Sequence, residues 1–295
     1  WIDFLDKAGI ETTVLYPTGG LACGRIVDPD FAIQTCQAYN DWITDEYSDK
    51  DGRFKPMALI PMQEPEAAVE ELRRAIKELG MVGAMLPSTG LPQHIGAKQY
   101  WPIYEEAERL GAALAVHGGA HQDLGMNTLN VFAAVHAIGH PTGIMICLAS
   151  MVFNGIFDQF PRLKVAFLEG GVGWFIMALE RFAGSHWAFN PIDPREQLVK
   201  LRDGEGLNDY MVRLCREGRL LIGVEGDEPA LVHAVKTVGA EGFLYSSDFP
   251  HEVNLESIRH EIEELLEIEE LTAEDKEKIL SKNSAAFYNL SSTAV

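Results

Sequence analysis

Short apolar runs alternate along the chain with longer stretches whose apolar positions recur every three to four residues. The runs lie at 12–16, 54–60, 82–86, 114–117, 164–168, 220–224 and 243–245. Each is apolar on both faces, the pattern of strands buried within a parallel sheet. The intervening stretches read as amphipathic helices, so the chain is a succession of strand–helix units. Asp28 and Pro29 supply an N-cap and a first-turn proline for a helix across 31–47. Ala68, Leu72, Ala75, Ile76 and Leu79 form one helical face, stopped by Gly80. Thr272 and Asp275 open a last helix running toward Tyr288. The acidic stretch 261–271 keeps Ile262, Leu265 and Leu266 in helical register with Ile258, so it reads as a solvated helix face and not as an acidic tail.

Strand starts recur roughly every 38 residues, a spacing that suits a (β/α)8 barrel of about 250 residues. Seven strands are visible where closure takes eight, and the stretch after Tyr245 is helical. The expected fold class is therefore α/β, a (β/α)8 TIM barrel whose first strand lies ahead of Trp1 or is borrowed. The chain opens without Met or a basic leader, and one more strand is expected upstream. No linker, repeat or compositional shift divides the sequence, so residues 1–295 read as one domain. The rival, an open doubly wound sheet, has only a weak phosphate fingerprint: Gly171-Val172-Gly173 is followed by Ile176 where a third glycine belongs.

A formal charge of −20 disfavours binding to nucleic acid or anionic lipid. The most apolar stretch, 143–157, is too short to span a bilayer, and 164–179 is broken by Glu169 and glycines, so no membrane span is expected. Cys23, Cys36, Cys147 and Cys215 form no CxxC pair, which fits a reducing, cytoplasmic location and no zinc knuckle.

Barrel chemistry gathers where strands end. The fourth visible strand ends in Val116-His117-Gly118-Gly119, the fifth in Leu168-Glu169-Gly170-Gly171, and the last in Ser246-Ser247-Asp248-Phe249-Pro250-His251. An imidazole and two carboxylates on one rim suit a divalent ion such as zinc, manganese or iron. The bland alternatives are a hydrogen-bonded structural histidine at 117, a turn-capping Asp248 and a rim ion pair at Glu169. His251 reads as a rim or substrate contact, while His121, His136 and His140 read as helix-surface or turn residues. Glu225, beside Gly226 and Asp227, faces either the site or an interior ion pair. Trp42, Trp101, Trp174 and Trp187 read as packing of the outer layer, and 190–210 as a rim loop shaping specificity.

These motifs, together with 9–17, Ala38-Tyr39-Asn40-Asp41-Trp42 and 78–84, make the sequence similar, over nearly its whole length, to the metal-dependent enzymes of the amidohydrolase superfamily, in the branch that includes aminocarboxymuconate semialdehyde decarboxylase. The resemblance implies one divalent ion, with His117 and Asp248 as ligands, and it implies that Asp248 holds the ion's water or substrate. It also exposes two departures: the family's strand-one His-x-His pair is absent from this chain, and Glu169 stands where many decarboxylases of the branch place a histidine. The reading preferred from the sequence is hydrolysis of a small organic substrate, with Asp248, Glu169 and His251 as catalytic candidates. Non-oxidative decarboxylation of a small aromatic acid is the alternative, and a metal-poor, non-catalytic barrel subunit a third reading. The expected partners are a small-molecule substrate and a second copy of the chain in a homodimer.

Overall fold

A computed structural model describes residues 1–290 apart from Glu196, Gln197, Asp227 and Glu252. Seven parallel strands pair in sequence order: β1 Thr13–Leu15, β2 Phe54–Leu59, β3 Gly83–Pro87, β4 Ala113–His117, β5 Val165–Leu168, β6 Leu220–Val224 and β7 Phe243–Tyr245. Each falls within or overlaps its expected run. Among the described residues β1 and β7 do not pair with each other, so the curled sheet is open there. The helices are α1 Ile2–Ala8, α2 Pro29–Ile43, α3 Pro65–Lys77, α4 Trp101–Leu110, α5 Phe132–Phe153, α6 Ile156–Gln159, α7 Gly173–Phe189, α8 Leu207–Arg216, α9 Leu231–Val238, α10 Leu255–Glu267, α11 Ala273–Glu277 and α12 Asn283–Phe287.

Strand alternation sorts side chains into two layers. On β4, Leu114 and Val116 join the large cluster under the helices, whereas Ala113 and Ala115 join an inner cluster with Met57, Ala166, Leu168, Leu221 and Leu244. The small inner residues leave room for Phe287 and Tyr288, which fill the interior from the end of α12. Tyr288 OH lies 2.7 Å from Tyr16 OH, and the Tyr16 ring lies 5.6 Å from that of His117. The C-terminal segment thus reaches the underside of the strand-end rim. Lys164 holds this segment, donating to the Ala286 carbonyl (2.8 Å) and Asn289 Oδ1 (3.0 Å).

The expected caps form. Asp28 Oδ1 accepts from Phe31 N, and Thr272 and Asp275 bond reciprocally as a capping box. Other details differ from the sequence reading. Trp42 and Trp187 are 51% and 83% exposed, whereas Trp174 is buried, so aromatic size and helical spacing alone did not separate packed from solvent-facing tryptophans. Residues 207–210 begin α8 instead of continuing a loop. The apolar stretch 143–157 lies for the most part in a 22-residue helix, α5, which ends at Phe153 and continues back through Pro141 to Phe132. By length and composition α5 could cross a membrane; here it packs on β4, β5 and α7. All four cysteines are buried free thiols, and burial pushes Cys147 up to about 12.

Because the β1 pairing stops at Pro56, Leu59 on that side of β2 has no strand partner. Asn40 of α2 takes its place: its Nδ2 donates to the Leu59 carbonyl (2.9 Å), and its Oδ1 accepts from Leu59 N (2.9 Å). The same Nδ2 donates to Glu71 Oε1 at 2.6 Å, and Glu71 is clamped by Arg74. Replacing Asn40 by Ala strands two buried polar groups, the Leu59 N–H and carbonyl, and is expected to cost about 2–4 kcal/mol in chemical denaturation. An unchanged midpoint would show that water takes over this role.

Candidate active site

His117 ends β4 in phase with inward-facing Ala113 and Ala115, so alternation alone points its ring into the mouth of the barrel. Its side chain is 12% exposed. Nδ1 lies 2.7 Å from the Gly118 carbonyl, which fixes the proton on Nδ1 and leaves the Nε2 lone pair for a ligand. Burial, the largest influence, holds the His117 pKa below the ordinary imidazole value despite the opposing charge of Glu169, so the ring is kept neutral, the form that ligates a cation.

Glu169 follows β5 and Asp248 follows β7, and both have left-handed backbones, with φ of 64° and 50°. Side chains there are strained unless the surroundings impose the conformation, and such strain concentrates at functional sites. Glu169 Oε2 sits 3.2 Å from His117 Nδ1 and 3.1 Å from His140 Nδ1. Burial raises the Glu169 carboxyl, but the His140 ring and the neighbouring His117 and His251 outweigh it and hold it below the usual carboxylate range. Asp248 Oδ1 lies 2.7 Å from His251 Nδ1, and His251 Nε2 lies 3.1 Å from Thr18 Oγ1. His251 therefore ties the Asp248 carboxylate to the loop after β1.

The structure brings Glu169, Asp248 and His251 together, with one ligand atom of each within 4.8 Å of the others, and places His117 beside Glu169. Glu225 is exposed; its N–H bonds to Glu228 Oε1, while Asp227 lies outside the described residues. Three histidines read from the sequence as surface or turn residues also belong to the site. His121, His136 and His140 line, with Glu169 and His251, a cavity of about 780 Å³ whose walls include Leu21, Met126 and Phe132. The described residues of the 190–210 segment do not line it. The signal for two of them was present: His136 and His140 stand four apart, a spacing that stacks both rings on one helix face.

Glycines make this crowding possible. A Cβ on Gly118 would meet His140 Nδ1 at 2.0 Å, and one on Gly139 would meet His121 Nδ1 at 2.4 Å. Gly118→Ala is therefore expected to displace His140 and lower stability by roughly 1–3 kcal/mol, whereas Gly173→Ala, with open space around it, should be near neutral. Equal unfolding midpoints for the two variants would contradict this packing.

The donor set suits a divalent cation. It combines imidazole nitrogen with carboxylate oxygen, and buried Glu169 Oε2 lacks a geometric hydrogen-bond donor, which leaves it an acceptor suited to a cation. The family model for Amidohydrolase matches residues 3–290. The chain belongs to the amidohydrolase family. Within it the chain resembles the branch that includes aminocarboxymuconate semialdehyde decarboxylase. This amidohydrolase is 29% identical over 98% of its length to 2-amino-3-carboxymuconate-6-semialdehyde decarboxylase of Dictyostelium discoideum, covering 76% of that protein. It is 27% identical over 85% of its length to gamma-resorcylate decarboxylase of Polaromonas sp., again covering 76% of the relative. Its fold matches the crystal structure of 5-carboxyvanillate decarboxylase from Novosphingobium aromaticivorans with bound manganese (TM-score 0.82, 20% identity, covering 98% of this chain and 80% of the other).

Proposed function

We propose that this amidohydrolase is a metal-dependent decarboxylase of a small aromatic carboxylic acid, with His117 and Asp248 as ligands of its divalent ion. The preference for hydrolysis drawn from the sequence gives way to its alternative because the similar curated proteins act by decarboxylation. The observation that carries the metal dependence is the rim itself, with His117, Glu169 and Asp248 gathered at the mouth of one barrel and an unsatisfied buried carboxylate oxygen among them. Manganese, present in the structural relative, is compatible with these donors, as are zinc and iron.

The ion, when bound, supplies positive charge that fixes the substrate's oxygens and stabilises developing anionic charge. The chain's own groups do the rest. Asp248, held by His251, carries a proton to the ring carbon that bears the carboxylate; the new C–H bond forms, the C–C bond to the carboxylate breaks, and CO2 departs. Solvent returns the proton to Asp248. The apolar side chains of Leu21, Met126 and Phe132 exclude water from the ring face while Thr18 fixes the outer nitrogen of His251. The test is CO2 release from dihydroxybenzoates, carboxyvanillate and aminocarboxymuconate semialdehyde, run beside ester, amide and lactone hydrolysis. CO2 from an aromatic acid supports the proposal, and hydrolysis without any CO2 release overturns it. Measured metal content also separates both enzyme readings from a non-catalytic subunit.

The expected homodimer remains part of this proposal. Ile138 and Ile146 on α5 and Met177 and Trp187 on α7 are exposed on helices that pack together. Sedimentation should give twice the 32.6 kDa chain mass; a monomer at micromolar concentration would contradict it.

A further inference from the structure

His136-Ala137-Ile138-Gly139-His140 places two imidazoles one turn apart on α5, with ring centroids 4.9 Å apart. His140 is buried, its side chain 9% exposed, and its Nδ1 makes no hydrogen bond. That nitrogen lies 3.1 Å from Glu169 Oε2, which is likewise buried and without a hydrogen bond. The Glu169 carboxylate and the His140 ring thus face each other at ion-pair distance inside the site. Both are atoms that ligate a cation, and both are buried beside the cavity.

A divalent cation suits both. His136, His140 and Glu169 each offer one ligand atom, and the three atoms lie within 4.8 Å of one another. Ligands about 2.1 Å from a tetrahedral ion sit roughly 3.4 Å apart, within reach by small side-chain rotations. Two imidazoles one turn apart on a helix plus a carboxylate from another element form a His2Glu set with a fourth position left open. Here the open position faces the cavity that these same residues line.

We propose that His136, His140 and Glu169 hold a second divalent cation, beside the one ascribed to His117 and Asp248, with the Glu169 carboxylate shared between the two sites. Glu169 is placed for this role, since one of its oxygens also falls within 4.8 Å of ligand atoms of Asp248 and His251. With two nitrogens in its donor set, the second site favours zinc over manganese, following the general affinity order. The site stands whichever reaction the first ion serves.

The test is metal stoichiometry, read without any assay of turnover. Protein stripped with a chelator is titrated with zinc by calorimetry, and ions per chain are counted after gel filtration. His136 is exposed and its removal does not threaten the fold, so His136→Ala is the informative variant. It is expected to bind one zinc fewer than the wild type, whereas His117→Ala keeps the zinc on α5. Cobalt provides a second readout: the visible absorption of a tetrahedral ion should be lost in part in His136→Ala. Equal zinc content and equal cobalt spectra in wild type and His136→Ala would overturn the proposal.

Discussion

Asp248→Asn is expected to lower kcat by about a thousandfold while leaving metal content near that of the wild type. General acid–base catalysis contributes about 10²–10⁴-fold, and the amide removes that contribution, because it neither accepts nor releases a proton near neutral pH. It retains a carbonyl oxygen of nearly the same shape that accepts the Nδ1–H of His251, now 2.7 Å from Asp248 Oδ1, and that still reaches an ion. Ligation and proton transfer therefore separate. The check is metal content by mass spectrometry beside CO2 release. A normal metal load with a near-normal rate removes Asp248 from the proton path; joint loss of both makes it a ligand alone.

His117→Ala has the opposite signature. The variant loses the neutral, pre-aimed nitrogen whose Nδ1 is fixed by the Gly118 carbonyl, so affinity for the first ion should fall at least about 100-fold and activity should fall with it. Added manganese should raise the melting temperature of the wild type, since an ion that binds only the folded state stabilises it by mass action. The same addition should leave the His117→Ala melting temperature almost unmoved. An equal rise in both would place the manganese ligands elsewhere.

The sequence disclosed the strands because each is sealed on both faces, leaving runs such as Leu114-Ala115-Val116 without a polar residue until the rim is reached. The same rule disclosed His117, Glu169 and Asp248: a polar side chain that abruptly ends a buried strand has emerged at the mouth. Helix α5 was harder to read. Pro141 and two nearby glycines interrupt a helical pattern, so the apolar stretch was begun at Gly143, and His136 and His140 fell outside it. Their role depends on packing against Gly118 and Glu169, contacts between segments distant in sequence that no local period encodes. Exposure of Trp42 and Trp187 was hidden for a related reason: helical spacing tells which residues share a face but not whether another element covers it.

The bond between Tyr288 and Tyr16 ties the rim to α12 in time as well as in space. Residues bearing His117, Glu169 and Asp248 emerge during synthesis well before Phe287 and Tyr288, and domains assemble from what has already emerged. A nascent chain therefore has its ligands before it has its floor, and the interior beneath Tyr16 is closed only by the last described residues. A chain cut short before α12 therefore carries every candidate ligand found here yet leaves the barrel open from below.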